Sequence, residues 1–131
     1  MKKIFKNQIA LALAGILAGT SAVAGTLVIN GDTSDPAPKA AFQAVIDGFE
    51  AENPDVDVVY NLFDHEGYKA AIRNFLSADA PDIAFWYAGN RMAPFVEAGL
   101  FAPIDDVWAD QGLYSLMASS APGMTMDGKK W

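Results

Sequence analysis

Apolar and polar positions alternate in short blocks and helical stripes from residue 26 onward. "TLVINGD", Thr26 to Asp32, is a continuous apolar run halted by Gly-Asp, the pattern of a strand buried on both faces. "TSDPAP" reads as a loop, with Pro36 and Pro38 suited to the first turn of a helix. From Lys39 to Glu52, residues Phe42, Val45, Ile46 and Phe49 recur at i, i+3, i+4 and i+7, one helical face. Pro54 ends that helix by pushing Asn53 out of the helical region. "VDVVYNLF", Val56 to Phe63, predicts a second strand. "DHEG" opens a second helix, with Asp64 as N-cap and Glu66 near the positive helix end. Tyr68, Ile72, Phe75 and Leu76 make its apolar face. "DIAFWYAG", Asp82 to Gly89, predicts a third strand, and Arg91 to Glu97 a third helix capped by Asn90 and stopped by Gly99.

Strand, helix, strand, helix, strand, helix is the rhythm of an α/β fold: a parallel sheet of βαβα units with helices on both faces. The following segment predicts less. "LFAPIDDVWADQGL" is a connection anchored by Trp108, and Leu113 to Ala121 is a weak helix candidate. "PGMTMDGKKW" predicts a strand running into an Asp127-Gly128 turn whose partner strand is missing. An unpaired arm beside a three-stranded sheet makes an incomplete sequence the expectation.

The first residues change the picture of where the chain works. "MKKIFKNQIALALAGILAGTSAVAG" has a basic start, an apolar stretch from Ile9 to Ala18 and a small-residue exit at Ala22-Val23-Ala24. That is the pattern of a secretory signal peptide over residues 1–24, cleaved near Ala24-Gly25. The apolar stretch falls short of the ~20 residues that span a bilayer. The whole chain carries a net charge of -7. Without the leader's three lysines it holds six basic and sixteen acidic residues, a net charge of -10. So acidic a surface repels phosphate backbones and anionic lipid, which argues against nucleic acid or membrane-surface partners. There is no cysteine, hence no disulfide and no lipid-bearing thiol after the leader. A monomer released into a bacterial periplasm is expected.

Candidate chemistry gathers where parallel sheets bind ligands, outside the carboxyl ends of strands. "NGDTSD" follows the first strand, "DHEG" the second and "WYAGNR" the third. Phe85 alternates with Ile83 onto one sheet face, Trp86 faces the other way, and Tyr87 stands at the strand's end. Gly89 would let backbone approach a ligand closely. Flat aromatic faces ringed by Asp, Asn, Arg and His suit a sugar, whose C–H face stacks while its hydroxyls pair with fixed polar groups. Stacking contributes about 1 kcal/mol per ring, whereas micromolar binding needs about 8, so hydrogen bonds must supply most of the rest. Arg91, one of two arginines, can donate a fork of hydrogen bonds to hydroxyls or a carboxylate. Core packing competes for Trp86 and Tyr87, and helix capping for Asp64.

Three other chemistries are weaker. Asp64, His65 and Glu66 are consecutive, and consecutive loop residues rarely converge on one metal; no cofactor or metal is expected. Asp64 and Glu66 could imitate a glycosidase's carboxylate pair in a secreted carbohydrate-active hydrolase. "GMTMDGKK", Gly123 to Lys130, matches a phosphate-binding loop, but Lys130 replaces the hydroxyl that holds magnesium and no helix follows.

"FEAENPDVDVVY", "APDIAFWYAGNRMAPFVEAGLFAPIDDVW" and "MDGKKW", behind an export leader, resemble the extracellular solute-binding proteins, family 1, the maltose-binding-like receptors of ABC sugar importers. The resemblance covers nearly all of residues 25–131 but only about the first third of a usual family chain. It implies an incomplete N-terminal lobe of a two-lobed protein that closes on its ligand and docks on membrane permease subunits, and it implies no enzyme activity. It points to Asp32, Asp64, His65, Trp86, Tyr87, Asn90 and Arg91 as the ligand-binding residues. A polyamine or another organic solute could replace the sugar in the same architecture.

Overall fold

The computed structural model describes residues 25–110 and 112–131; the leader and its cleavage site lie outside the described residues. Its sheet holds β1 (Gly25–Gly31), β2 (Val56–Leu62) and β3 (Ile83–Ala84) in the order β2-β1-β3, all parallel. Helix α1 (Pro36–Glu52) links β1 to β2, and α2 (His65–Ala78) carries the chain from β2 past β1 to β3. Strand order therefore reverses at β1, which places a topological switch point between the carboxyl ends of β1 and β3.

The two helices cover opposite faces, as the aromatic contacts show. On the α1 side Phe42 packs on Tyr60 of β2 and on Phe85 just beyond β3, with ring centroids 4.9 and 5.0 Å apart. On the α2 side Tyr68, Ile72 and Leu76 are buried together with Phe95, and Phe63, Phe75 and Trp86 pack against them. Phe85 and Trp86 thus part to opposite faces, as alternation requires. Full burial of such side chains contributes about 1.5–3 kcal/mol each. The α1 stripe is less well covered: Ile46 is buried, whereas Val45 and Phe49 remain exposed.

Two carboxylates finish the sheet where backbone partners run out. Glu50 of α1 accepts a hydrogen bond from the Val58 N–H on the outer strand β2, at 2.8 Å. Asp82 accepts from Val28 N–H at 2.8 Å, just before β3 begins to pair with β1. Such side chains blunt edges that would otherwise template another strand.

The structure corrects the expected third strand. Only Ile83 and Ala84 are strand, paired at Ile29 and Asn30, and Phe85 N–H adds one bond to the Asn30 carbonyl at 3.0 Å. A strand with one neighbour and aromatics leaving in both directions gains little by continuing. Asn90 is not a helix cap. It lies inside a 3-10 turn, Gly89–Arg91, that precedes α3 (Ala93–Glu97), and Pro94 occupies that helix's first turn. Gly89 is needed for its φ of 68° rather than for close packing, since a Cβ there would meet nothing within 4 Å. The stop at Gly99 holds: Gly99 N–H bonds to Val96 O and Leu100 N–H to Phe95 O, a Schellman ending.

The tail differs most from expectation. The connection at Trp108 is helical, α4 (Asp105–Asp110), and Trp108 is buried. A short helix α5 (Leu113–Leu116) and a 3-10 turn (Ala121–Met124) replace the longer predicted helix. The arm expected to lack a mate closes on itself, with β4 (Thr125–Met126) antiparallel to β5 (Lys129–Lys130). Asp127 and Gly128 have φ of 53° and 75°, the positive values a two-residue I′ hairpin requires. The phosphate-loop-like stretch is thus a turn and hairpin. It docks through Lys130 N–H to Asp105 and Ile104 N–H to the Lys130 carbonyl.

Candidate functional site

Four of the candidate side chains form one connected group at the switch point, and Trp86 adjoins it. Asp32 follows β1, His65 opens α2 after β2, and Tyr87 stands three residues beyond β3. His65 Nδ1 lies 2.6 Å from Asp32 Oδ2, and His65 Nε2 lies 3.0 Å from the Tyr87 hydroxyl. The Arg91 guanidinium sits over the Tyr87 ring, 4.4 Å from its centroid, close enough for a cation–π contact. Among the described residues no carboxylate comes within ion-pair distance of Arg91, so its donors remain available to a ligand. The Asp32 side chain is 22% exposed and that of His65 49% exposed, so both are reachable from solvent.

Trp86 is only half free. Its indole N–H donates to the Arg91 carbonyl at 2.8 Å, and its ring meets Phe95 and Tyr87 edge-on at centroid distances of 5.4 and 5.3 Å. It is neither sealed in nor fully presented. The Tyr87 ring has one face taken by Arg91. Asp64 is occupied as the N-cap of α2, accepting from Gly67 N–H at 2.8 Å. A Cβ on Gly67 would stand 2.6 Å from that carboxylate, which would have to shift to admit it. Asn90 is exposed, and its side chain makes no hydrogen bond among the described residues.

One buried support is absent from the sequence-based site. Tyr68 reads as an apolar-face residue, yet its hydroxyl donates to the Asn30 carbonyl at 3.0 Å. Asn30 is itself buried and accepts from Asn61 Nδ2 at 2.9 Å through its side chain. Tyr68 and Phe85 line a pocket of about 120 Å³ together with Asp32, Trp86 and Tyr87. Burial, followed by the nearby Asp32 carboxylate, pushes the Tyr68 phenol up to about 12. The available signal was a tyrosine at a core position, because a buried phenol needs a partner.

A larger cavity, about 400 Å³, is lined by Leu76, Ile83, Met92, Phe101 and Trp131 and shares Trp86 and Tyr87 with the smaller pocket. Its lining is mostly apolar, with Asp82 as its one charged residue, so the chemistry favours the smaller pocket as the recognition point. Among the described residues no cluster of His, Asp and Glu could hold a metal ion. Glu66 is fully exposed, and its hydrogen bond from Lys69 at 2.7 Å holds its carboxyl below the usual range. A glycosidase's general acid needs the opposite shift.

Comparison with known proteins places the chain in a family. A profile for the bacterial extracellular solute-binding proteins matches residues 33–122. The chain belongs to that family. A Caldanaerobius polysaccharolyticus protein of xylan utilisation is 31% identical with a TM-score of 0.73, over 81% of this chain and 27% of its own. The bacterial solute receptor AcbH, which has an exclusive preference for β-D-galactopyranose, is 30% identical with a TM-score of 0.70, over 82% of this chain and 27% of its own. The GacH receptor of Streptomyces glaucescens, solved unliganded and with acarbose, is 29% identical with a TM-score of 0.58, over 82% and 28%. The chain thus spans about a quarter of the length of the solved structures it matches. A comparison with curated protein sequences gives no match. The fold is the α/β lobe of these solute receptors. Among the described residues no helix is long and apolar enough to cross a membrane.

Proposed function

We propose that these residues form one wall of the sugar site in the periplasmic substrate-binding component of an ABC carbohydrate importer. The observation that carries the reading is the convergence of Asp32, His65, Tyr87 and Arg91 at the carboxyl ends of the strands, beside the partly buried Trp86. A hydroxylated ring resting against the Trp86 edge would find a carboxylate, a phenol and a guanidinium within reach of its rim. On this reading Asn90 extends the polar rim, and Asp64 acts through α2 by fixing where His65 stands. The leader exports the chain, and the loaded receptor delivers its sugar to permease subunits.

Tryptophan fluorescence of the purified chain, titrated with galactose, xylose, maltose and spermidine, tests the proposal. A saturable change with a sugar that is lost in both Trp86→Ala and Arg91→Ala is expected. A response to spermidine alone would assign the acidic loops to a cation and refute the sugar reading. Turnover of a chromogenic glycoside that disappears with Glu66→Gln would replace a receptor with a hydrolase.

A further inference from the structure

We infer that His65 sets the hydrogen-bonding sense of this site: it makes the Tyr87 hydroxyl an acceptor toward the cleft, so that a ligand must bring a donor to it. The inference deepens the sugar-binding proposal and rests on it. The reasoning starts at Asp32. An ionised carboxylate can only accept, so the 2.6 Å contact requires the hydrogen on His65 Nδ1. A neutral imidazole carries one N–H, which leaves Nε2 bare and accepting. The Tyr87 hydroxyl, 3.0 Å away, is then the only possible donor of that bond. Its proton is committed to His65, and its lone pairs face outward.

The neighbouring groups sort themselves around this result. The indole N–H of Trp86 is committed to the Arg91 carbonyl. Asp32 Oδ1 and Tyr87 Oη are acceptors of this group, while the Arg91 guanidinium over the Tyr87 ring supplies donors. A sugar hydroxyl satisfies both kinds of group, since it donates through its hydrogen and accepts through its oxygen. A fluorine or an ether oxygen at the Tyr87 position cannot donate and leaves the phenol oxygen unpaired. Protonating His65 reverses the chain: Nε2–H would donate to Tyr87, whose own hydrogen would then turn outward. The charged groups around the ring are Asp32 in contact, Glu66 4.0 Å from Nε2 with Lys69 paired to it, Asp64 beside it in sequence, and Arg91 across Tyr87.

His65 is the only histidine, so its imidazole nitrogens can be read without assignment ambiguity. Long-range nitrogen–proton correlation spectra of the nitrogen-15-labelled chain at pH 7.5 should show Nδ1–H with Nε2 unprotonated, the reverse of the form a free neutral histidine prefers. Asp32→Asn should shift the ring toward Nε2–H, while Tyr87→Phe should keep Nδ1–H and move only the Nε2 resonance. An Nε2–H tautomer, or a doubly protonated ring at that pH, overturns the inference. In binding, one of the monofluorinated deoxy analogues of galactose should bind about tenfold more weakly than galactose, the loss expected for one unmade hydrogen bond. That discrimination should vanish in Tyr87→Phe. Equal binding of galactose and all its fluorinated analogues overturns the inference. If no sugar moves any resonance while Nδ1–H stands, the hydrogen-bonding sense is upheld and the sugar reading alone fails.

Discussion

Replacing Tyr68 with phenylalanine should destabilise the lobe near neutral pH and stabilise it in alkali. The ring of Tyr68 is 1% exposed and its hydroxyl donates to the Asn30 carbonyl. That carbonyl also accepts Phe85 N–H, so the variant leaves it with one partner rather than none. The expected cost is therefore that of one ordinary hydrogen bond, about 1 kcal/mol. The alkaline effect comes from the phenol, held up at about 12 against an ordinary value of 10.0. Between these values the unfolded chain has lost the proton and the native state retains it, so stability falls as pH rises. Two units at about 1.4 kcal/mol each make the full loss about 3 kcal/mol. Phenylalanine has no such term, so the two stability curves should cross near pH 10.7, about where the linkage loss equals the hydrogen bond. At pH 11.5 the variant should be ahead by about 1 kcal/mol. Urea unfolding followed by tryptophan fluorescence at pH 8 and pH 11.5 measures both differences. The other titrating groups are common to both proteins and cancel in the comparison. A deficit that stays constant across that range would show that the core does not hold the phenol protonated, and the absence of any deficit at pH 8 would refute the account of β1 as anchored through Asn30.

Three further substitutions probe the frame. Gly31→Ala would place a Cβ 2.8 Å from the Tyr60 hydroxyl and 3.0 Å from Phe85, costing about 1–3 kcal/mol in urea titrations. Because that hydroxyl is buried without a partner among the described residues, adding Tyr60→Phe should restore much of the loss. Asp64→Ala should cost about 1 kcal/mol, a fall of roughly 4–8 °C in a thermal melt, whereas Asp64→Ser should keep most of the stability. Glu50→Ala should expose the Val58 N–H on the sheet edge, lowering stability by up to about 1 kcal/mol and raising self-association by light scattering.

What the sequence disclosed follows the range of the forces involved. α1 and α2, the Asp64 cap and the Gly99 stop are written in residues a few positions apart, and all are present. β3 was overread because six apolar or aromatic residues suit a strand locally, whereas its length depends on the single neighbour β1 provides. The Asp127-Gly128 turn is legible but its return strand is not, because nothing in Lys129-Lys130 favours a strand. The left-handed Asp127-Gly128 turn and the docking on Asp105 impose it. The site was legible as a place but not as a set of contacts. Asp32 and His65 are 33 residues apart, and His65 and Tyr87 are 22 apart. Which of them touch depends on β1 lying between β2 and β3, a tertiary fact. The order also explains the three aromatics in a row. Phe85 goes to α1, Trp86 to the α2 core, and only Tyr87 is left for the chain of polar groups.

The same arrangement bounds how strongly this wall could hold a sugar. On the proposed reading a ring gains about 1 kcal/mol from an aromatic surface that Trp86 offers only in part. Hydrogen bonds to Asp32 and Arg91, being charge-assisted, add roughly 1.5–3 kcal/mol each, and that to Tyr87 about 1. These gains total about 5–8 kcal/mol against an association cost of at least about 4, which leaves little net binding. Millimolar affinity, about 4 kcal/mol, is the most this wall can reach. The geometry explains why. Asp32, His65 and Tyr87 are already bonded to one another, and Tyr68 and Phe85 pin β1 from beneath, so the wall is ordered before any ligand arrives. Preorganisation removes a cost but adds no contact. A sugar lying here would keep its opposite face in water, and in the solved receptors about three quarters of the chain lies beyond the part this one matches. Tight binding therefore requires a second surface to close over the ligand. The rim built from these residues would then decide which hydroxyls are read, while that second surface would decide how firmly the sugar is held.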